Sequence, residues 1–171
     1  MGRALSIAAL VVVLAVGVAQ PSAARARREG VRWSAANAQA LCLRDPRGRA
    51  WVRRAVQEWN TSPWVDIDDR VGACPTWVRT IRIRTANYGP TGWEGHNVWW
   101  WNAKGYLLHV NIKFNTYYRN RWRPRAMACH EIGHALGLGH NTLPTSCMYH
   151  LPTAPLPLPQ DFSELGAIYS S

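Results

Sequence analysis

Residues 130 to 140 read His-Glu-Ile-Gly-His-Ala-Leu-Gly-Leu-Gly-His, and this stretch constrains the fold more than any other part of the chain. On a helix, His130 and His134 stand one turn apart on the same face, so both imidazoles can reach one metal ion. Glu131 neighbours the first of them and can approach a water there without becoming a ligand. Gly137 lets the chain leave the helix through a backbone conformation that a residue with a Cβ resists. That turn brings His140 back as a third ligand. Three nitrogen ligands leave a fourth position open, which is the arrangement of a catalytic zinc rather than a closed structural one. A bare His-Glu-x-x-His arises by chance, but the further match at Gly137 and His140 makes coincidence a poor explanation.

The segments around the motif read as mixed α+β in one domain. From Gly48 to Asn60, Trp51, Val52, Ala55, Val56 and Trp59 recur at helical spacing, and Pro63 prevents the helix from running on. From Thr80 to Thr85, Ile81 and Ile83 alternate with Arg82 and Arg84, the pattern of a half-buried strand. Glycines and a proline make residues 87 to 95 a loop. A second strand is expected over Asn97 to Trp101, a turn over Asn102 to Gly105 and a third strand over Tyr106 to Asn115. In that third strand Leu108, Val110, Ile112 and Phe114 share one face, and the last two strands form a hairpin. Tyr117 to Pro124 reads as a linking loop, and Pro124 opens a helix running to Leu136 or Gly137. A closing helix over Phe162 to Tyr169 is signalled by Asp161 at the cap and Glu164 three residues on.

The chain has 171 residues, enough for a leader and one domain with a hydrophobic core. Arg3 followed by the apolar run Leu5 to Ala19 and small residues at Ser22, Ala23, Ala24 and Ala26 is the layout of a secretory signal peptide. Residues 1–26 are therefore expected to be a leader, cleaved between Ala24 and Ala26, and residues 27–171 the mature domain. The run is shorter than a membrane span, and nothing later resembles one. The net charge of +10 comes almost wholly from arginine, with Lys104 and Lys113 the two lysines. Scattered arginines with no nucleic-acid motif imply solubility and weak adsorption to anionic cell surfaces rather than nucleic-acid binding. Four cysteines (Cys42, Cys74, Cys129 and Cys147) in a secreted chain imply two disulfides, for which three pairings exist.

The match at His130, Glu131, His134, Gly137 and His140 resembles the metzincin clan of zinc endopeptidases, and the pair Met148-Tyr149 resembles its matrixin branch. The resemblance is specific over residues 129 to 149 and loose over the rest of the mature chain. It implies a small metzincin-like domain with a twisted mixed sheet and about three α-helices. It also implies one catalytic zinc ion on His130, His134 and His140, with Glu131 as general base and Met148 in a turn beneath the metal. A methionine turn under the helix would bring Cys129 and Cys147 together, leaving Cys42 and Cys74 to pair. The activity implied is hydrolysis of peptide bonds in an extended polypeptide lying along a strand edge of the hairpin, by a monomer. Residues 149 to 159 would wall the specificity pocket. The chain departs from matrixins in the short stretch between leader and first helix, which leaves no room for an inhibitory pro-domain. Cys42 also lacks the motif of a zinc-blocking cysteine.

Other polar residues carry weaker signals. His150 stands near the metal by resemblance and reads as an ordinary loop histidine. His96 and His109 read as surface histidines rather than a second zinc site. Asp66, Asp68 and Asp69 offer oxygens to calcium but lack the spacing and glycine of a known loop. In the run Trp99-Trp100-Trp101, alternation sends at least one ring to the core and another to solvent.

Overall fold

The computed structural model of the chain describes residues 30–170. The leader expected over residues 1–26 lies outside them. In order, the elements are α1 (Ala35–Ala38), β1 (Leu41–Arg44), α2 (Ala50–Trp59), β2 (Ile67–Arg70), β3 (Arg79–Ala86), β4 (Gly95–Trp101), β5 (Leu107–Asn115), a 3-10 helix (Thr116–Arg121), α3 (Pro124–Ala135) and α4 (Pro159–Tyr169). The strands form one mixed sheet in the order β2-β1-β3-β5-β4. All neighbours run parallel except β4, which pairs antiparallel with β5 and, as the last strand in the order, is an open edge. The expected α+β fold is the one observed.

One face of the sheet carries the core. Leu41, Leu43, Ile81, Ile83, Val110, Ile112 and Phe114 all point there and are buried. The stripe Val52, Ala55, Val56 and Trp59 turns α2 toward the same core. Each such side chain contributes roughly 1.5–3 kcal/mol on leaving water. Trp59 goes further than packing, because its indole N–H donates to the Cys129 carbonyl at 2.9 Å and so ties α2 to α3.

Three local expectations need correction. Leu107, not Leu108, is the buried residue that starts β5. The register shifts between Trp100 and Trp101, which pair with His109 and Leu107, so Leu108 is the extra residue of a bulge and leaves the face of Val110. Part of the expected loop after Tyr117 is the 3-10 helix Thr116–Arg121, capped by the Asn115 side chain accepting from the Tyr117 N–H. The closing helix begins at Pro159, so Asp161 is its third residue rather than its cap. Its carboxylate reaches back to the Leu158 N–H at 2.7 Å. Among the tryptophans, Trp99 packs on the core while Trp100 and Trp101 are exposed.

Candidate metal centre

The helix that carries the motif is unusual in being buried nearly all round, from Ala126 through Gly133 and again at Ala135. Such a helix has no wet face on which to satisfy its ends, so its C-terminus must be closed by the protein. Gly137 adopts φ +93°, the left-handed region that a side chain disfavours. This turns the Leu138 N–H back to the Gly133 carbonyl (3.1 Å) and the Gly137 N–H to His134 (3.0 Å), a Schellman closure. The two carbonyls that remain accept from distant side chains. Trp33 Nε1 donates to Ala135 O at 2.9 Å, and Tyr169 Oη to Leu136 O at 2.6 Å. The end of the helix is thereby fixed, and with it the direction in which residue 140 returns.

His130, His134 and His140 converge. Their Nε2 atoms lie 3.0, 3.2 and 3.3 Å apart. Tetrahedral ligands with zinc–nitrogen bonds of about 2.0–2.1 Å would have nitrogens separated by roughly 3.3 Å, so the donor set fits that ion. The tautomers agree with the geometry. His130 Nδ1 lies 2.7 Å from Cys147 O, and His134 Nδ1 lies 2.7 Å from Leu138 O. A carbonyl can only accept, so each Nδ1 carries the proton and each Nε2 presents a lone pair inward. Burial, reinforced by the neighbouring imidazoles, holds His130 down to about 3 and His134 to about 4. Both are neutral at physiological pH. These three residues could hold a metal ion, and they are the one such group among the described residues.

Glu131 points to the cleft side of the helix and is buried. Its Oε2 accepts from Asn97 Nδ2 at 2.6 Å, and the same amide reaches the Glu131 carbonyl at 3.0 Å. Burial pushes the carboxyl up to about 8, and the Asn97 amide offsets only part of that shift. Gly95, two residues before Asn97 on β4, makes room for the group. A Cβ there would collide with Oε1 and stand 2.7 Å from the carboxyl carbon. Gly95→Ala is therefore expected to displace the Glu131 carboxyl and to lower the peptide hydrolysis that the resemblance implies by at least about tenfold, since placement of a general base to within an ångström matters on that scale. Bound zinc should be unchanged. Equal activity of the alanine variant on a fluorogenic peptide would show that the carboxyl tolerates the shift. Neither Gly95 nor Asn97 stood out in the sequence. The available signal was a polar residue, Asn97, on the inward side of a strand.

The floor is built from the segment after the helix. The disulfide Cys129–Cys147 joins the residue before His130 to the residue before Met148. Met148 is fully buried. Gly133 allows its approach, because a Cβ at that position would overlap the methionine sulfur and lie 2.8 Å from Trp59. The second disulfide, Cys42–Cys74, lies away from the site and pins residues 71–78 to β1.

A family model described as matrixin (Peptidase_M10) matches residues 83–161, from the middle of β3 to the first turn of α4. Over that stretch the chain is similar to matrixins, and its histidine cluster supports a matrixin-like metzincin. No curated protein matches it. Matrixins are zinc-dependent endopeptidases, which agrees with three imidazoles of suitable geometry in the matched segment.

In this matrixin-like domain the three histidines open onto a cleft of about 590 Å³. β4 supplies one wall through Gly95, His96, Asn97 and Trp99, and the segment 150–153 supplies the opposite wall. His150 is thus a cleft residue, exposed beside Tyr149; burial lowers the pKa of His140, and the neighbouring His150 imidazole adds to that. His109 is elsewhere, stacked on Trp100 at 4.1 Å on the far face of the sheet. The aspartates of β2 do not converge on one point. Asp68 pairs with Arg70 and Asp69 with Arg53 on α2.

Proposed function

We propose that the protein is a secreted zinc endopeptidase that cuts extended polypeptides. His130, His134 and His140 would hold the zinc through Nε2, and Glu131 would act as general base. The observation that carries the reading is the triangle of Nε2 atoms at 3.0–3.3 Å opening onto the cleft. Bound zinc supplies two things, a lowered pKa for water and polarisation of the scissile carbonyl. The rest falls to the chain itself. Glu131 takes a proton from the attacking water and passes it to the leaving amine, while Asn97 Nδ2 holds Oε2 in place.

The strand edge at β4 favours an extended substrate. Its outward N–H and C=O groups have no strand partner, and they run along the cleft. Leu151, Pro152 and Thr153 face it from across the cleft and form the wall that selects a side chain. Secretion is supported by the two disulfides, which persist in oxidising compartments. No helix among the described residues is long and apolar enough to cross a membrane.

The test is hydrolysis of casein by the purified protein, read together with its zinc content. Chelation is expected to abolish cleavage, and added zinc to restore it. His130→Ala is expected to lower zinc affinity by at least about 10- to 100-fold, since it removes a ligand outright. A protein that takes up no zinc, or one that hydrolyses casein equally well after chelation, would remove the basis of the proposal.

A further inference from the structure

Four of the arginines that lie scattered along the sequence come together on the face of the sheet opposite the core. Arg44, Arg70 and Arg82 stand side by side in one row across β2, β1 and β3, because Arg44 is in register with both of the others. The next row pairs Arg84 with Lys113, and Lys113 with His96. Residues in register on neighbouring strands point to the same face, about 4.8 Å apart, and successive rows lie about 6.7 Å apart. Arg70, Arg82 and Arg84 are exposed. Arg44 Nε has no hydrogen-bond acceptor.

Against these five cations the strands of this face present one carboxylate among the described residues, Asp68, and it is engaged with Arg70 at 2.5 Å. Like charges directly opposite each other weaken a sheet. Arginines spread at random would not occupy the outward positions of three adjacent strands in register.

We infer that this sheet face is a docking surface for a linear acidic polysaccharide, held by its repeated sulfate or carboxylate groups. Guanidinium groups form paired hydrogen bonds with such oxyanions, and a row of them matches a charge repeated along a chain. The complementarity is with a polyanion, and the rings nearby argue against nucleic acid as that polyanion. Single-stranded nucleic acids are bound on free aromatic platforms. Here Tyr88 lies 5.5 Å beneath Lys113 Nζ, and His109 is stacked on Trp100, so both rings already carry a protein group. The two disulfides point to an oxidising exterior, where acidic glycans are among the polyanions a protein meets. The five cations lie off the histidine cleft, which opens along β4 and α3 and meets these rows at His96. The surface would hold the enzyme on a matrix while leaving the cleft free, and it does not depend on the metal reading.

The probe is a heparin decasaccharide, titrated against the protein at about 0.15 M salt, where long-range charge effects are largely screened. Arg82→Ser/Arg84→Ser is expected to weaken binding by about tenfold or more. Its melting temperature and its hydrolysis of a short peptide should be unchanged. Arg121→Ser/Arg123→Ser removes the same charge from the cleft rim and is expected to keep the affinity within about twofold, because those groups lie off the surface. Arg82→Lys/Arg84→Lys should recover part of the loss, which separates a charge effect from a folding effect. Equal weakening by the two serine pairs would reduce the observation to net charge and overturn the inference. Competition by an oligothymidylate as strong as by heparin of equal charge would overturn it in favour of a nucleic-acid surface.

Discussion

Glu131→Gln is expected to lower peptide hydrolysis by about 10²–10⁴-fold while the protein binds zinc as tightly as before. The substitution changes the chemistry of one group and almost nothing else. Glutamine has the same shape, and its side-chain oxygen can still accept the Asn97 amide that now lies 2.6 Å from Oε2. The three imidazoles do not use Glu131 as a partner: His130 and His134 are oriented by the Cys147 and Leu138 carbonyls. What the amide cannot do is accept and return a proton. Stability should hold or rise, because a buried carboxyl that must ionise to work is replaced by a neutral group. The measurements are turnover of a fluorogenic peptide, zinc per chain and urea unfolding of both proteins. Wild-type turnover in the glutamine variant would rule out Glu131 as the base. Lost zinc would instead mean that the carboxyl helps to build the site.

The contrast between Glu131→Gln and Gly95→Ala shows what the sequence could and could not reveal. The placement of His130, Glu131, His134 and His140 is legible because helix geometry and one left-handed glycine convert spacing into position. Every relation within that stretch spans ten residues or fewer. Gly95 acts across 36 positions, by leaving space for an atom on another element, and no local pattern announces a missing Cβ. The same holds for Trp33 and Tyr169, whose N–H and O–H groups close the helix end from distant parts of the chain.

The sheet was legible in proportion to its exposure. β3 alternates because one face is wet, and the hairpin of β4 and β5 is local. β1 reads Leu-Cys-Leu-Arg and β2 reads Ile-Asp-Asp-Arg, each only four residues long, too short for a period to show. Their pairing is parallel and depends on the crossover through α2, so it is set by tertiary packing. The charge on the outer face follows the same logic. Arg44, Arg70 and Arg82 are distant in sequence and become a row only once the strand order is known.

The residue whose meaning changed most on moving from sequence to structure is Asp161. Capping logic marks it as a helix start, and it does accept the Leu158 N–H at 2.7 Å. It also accepts from Asn141 Nδ2 at 2.8 Å and from Ser146 Oγ at 2.7 Å, while fully buried. Ser146 Oγ in turn accepts the Met148 N–H at 2.8 Å, and the Asn141 N–H donates to Met148 O at 2.9 Å. One carboxylate thus ties α4 to both ends of the segment that forms the floor. Between Ser146 and Met148 lies Cys147, whose carbonyl orients His130. Asp161→Ala leaves two buried donors and one half-buried donor without an acceptor, and it is expected to destabilise the protein by about 3–5 kcal/mol. Zinc affinity should fall by about tenfold, the lower end for a group that acts on a ligand through its support. Asp161→Asn should lie between wild type and alanine, because its amide keeps one acceptor and turns a donor toward groups that need an acceptor. Urea unfolding of zinc-loaded protein gives the first quantity, and competition with a chelator of known affinity gives the second. An alanine variant within about 0.5 kcal/mol of wild type would mean that water replaces the carboxylate without loss, and that the floor is held by the disulfide alone.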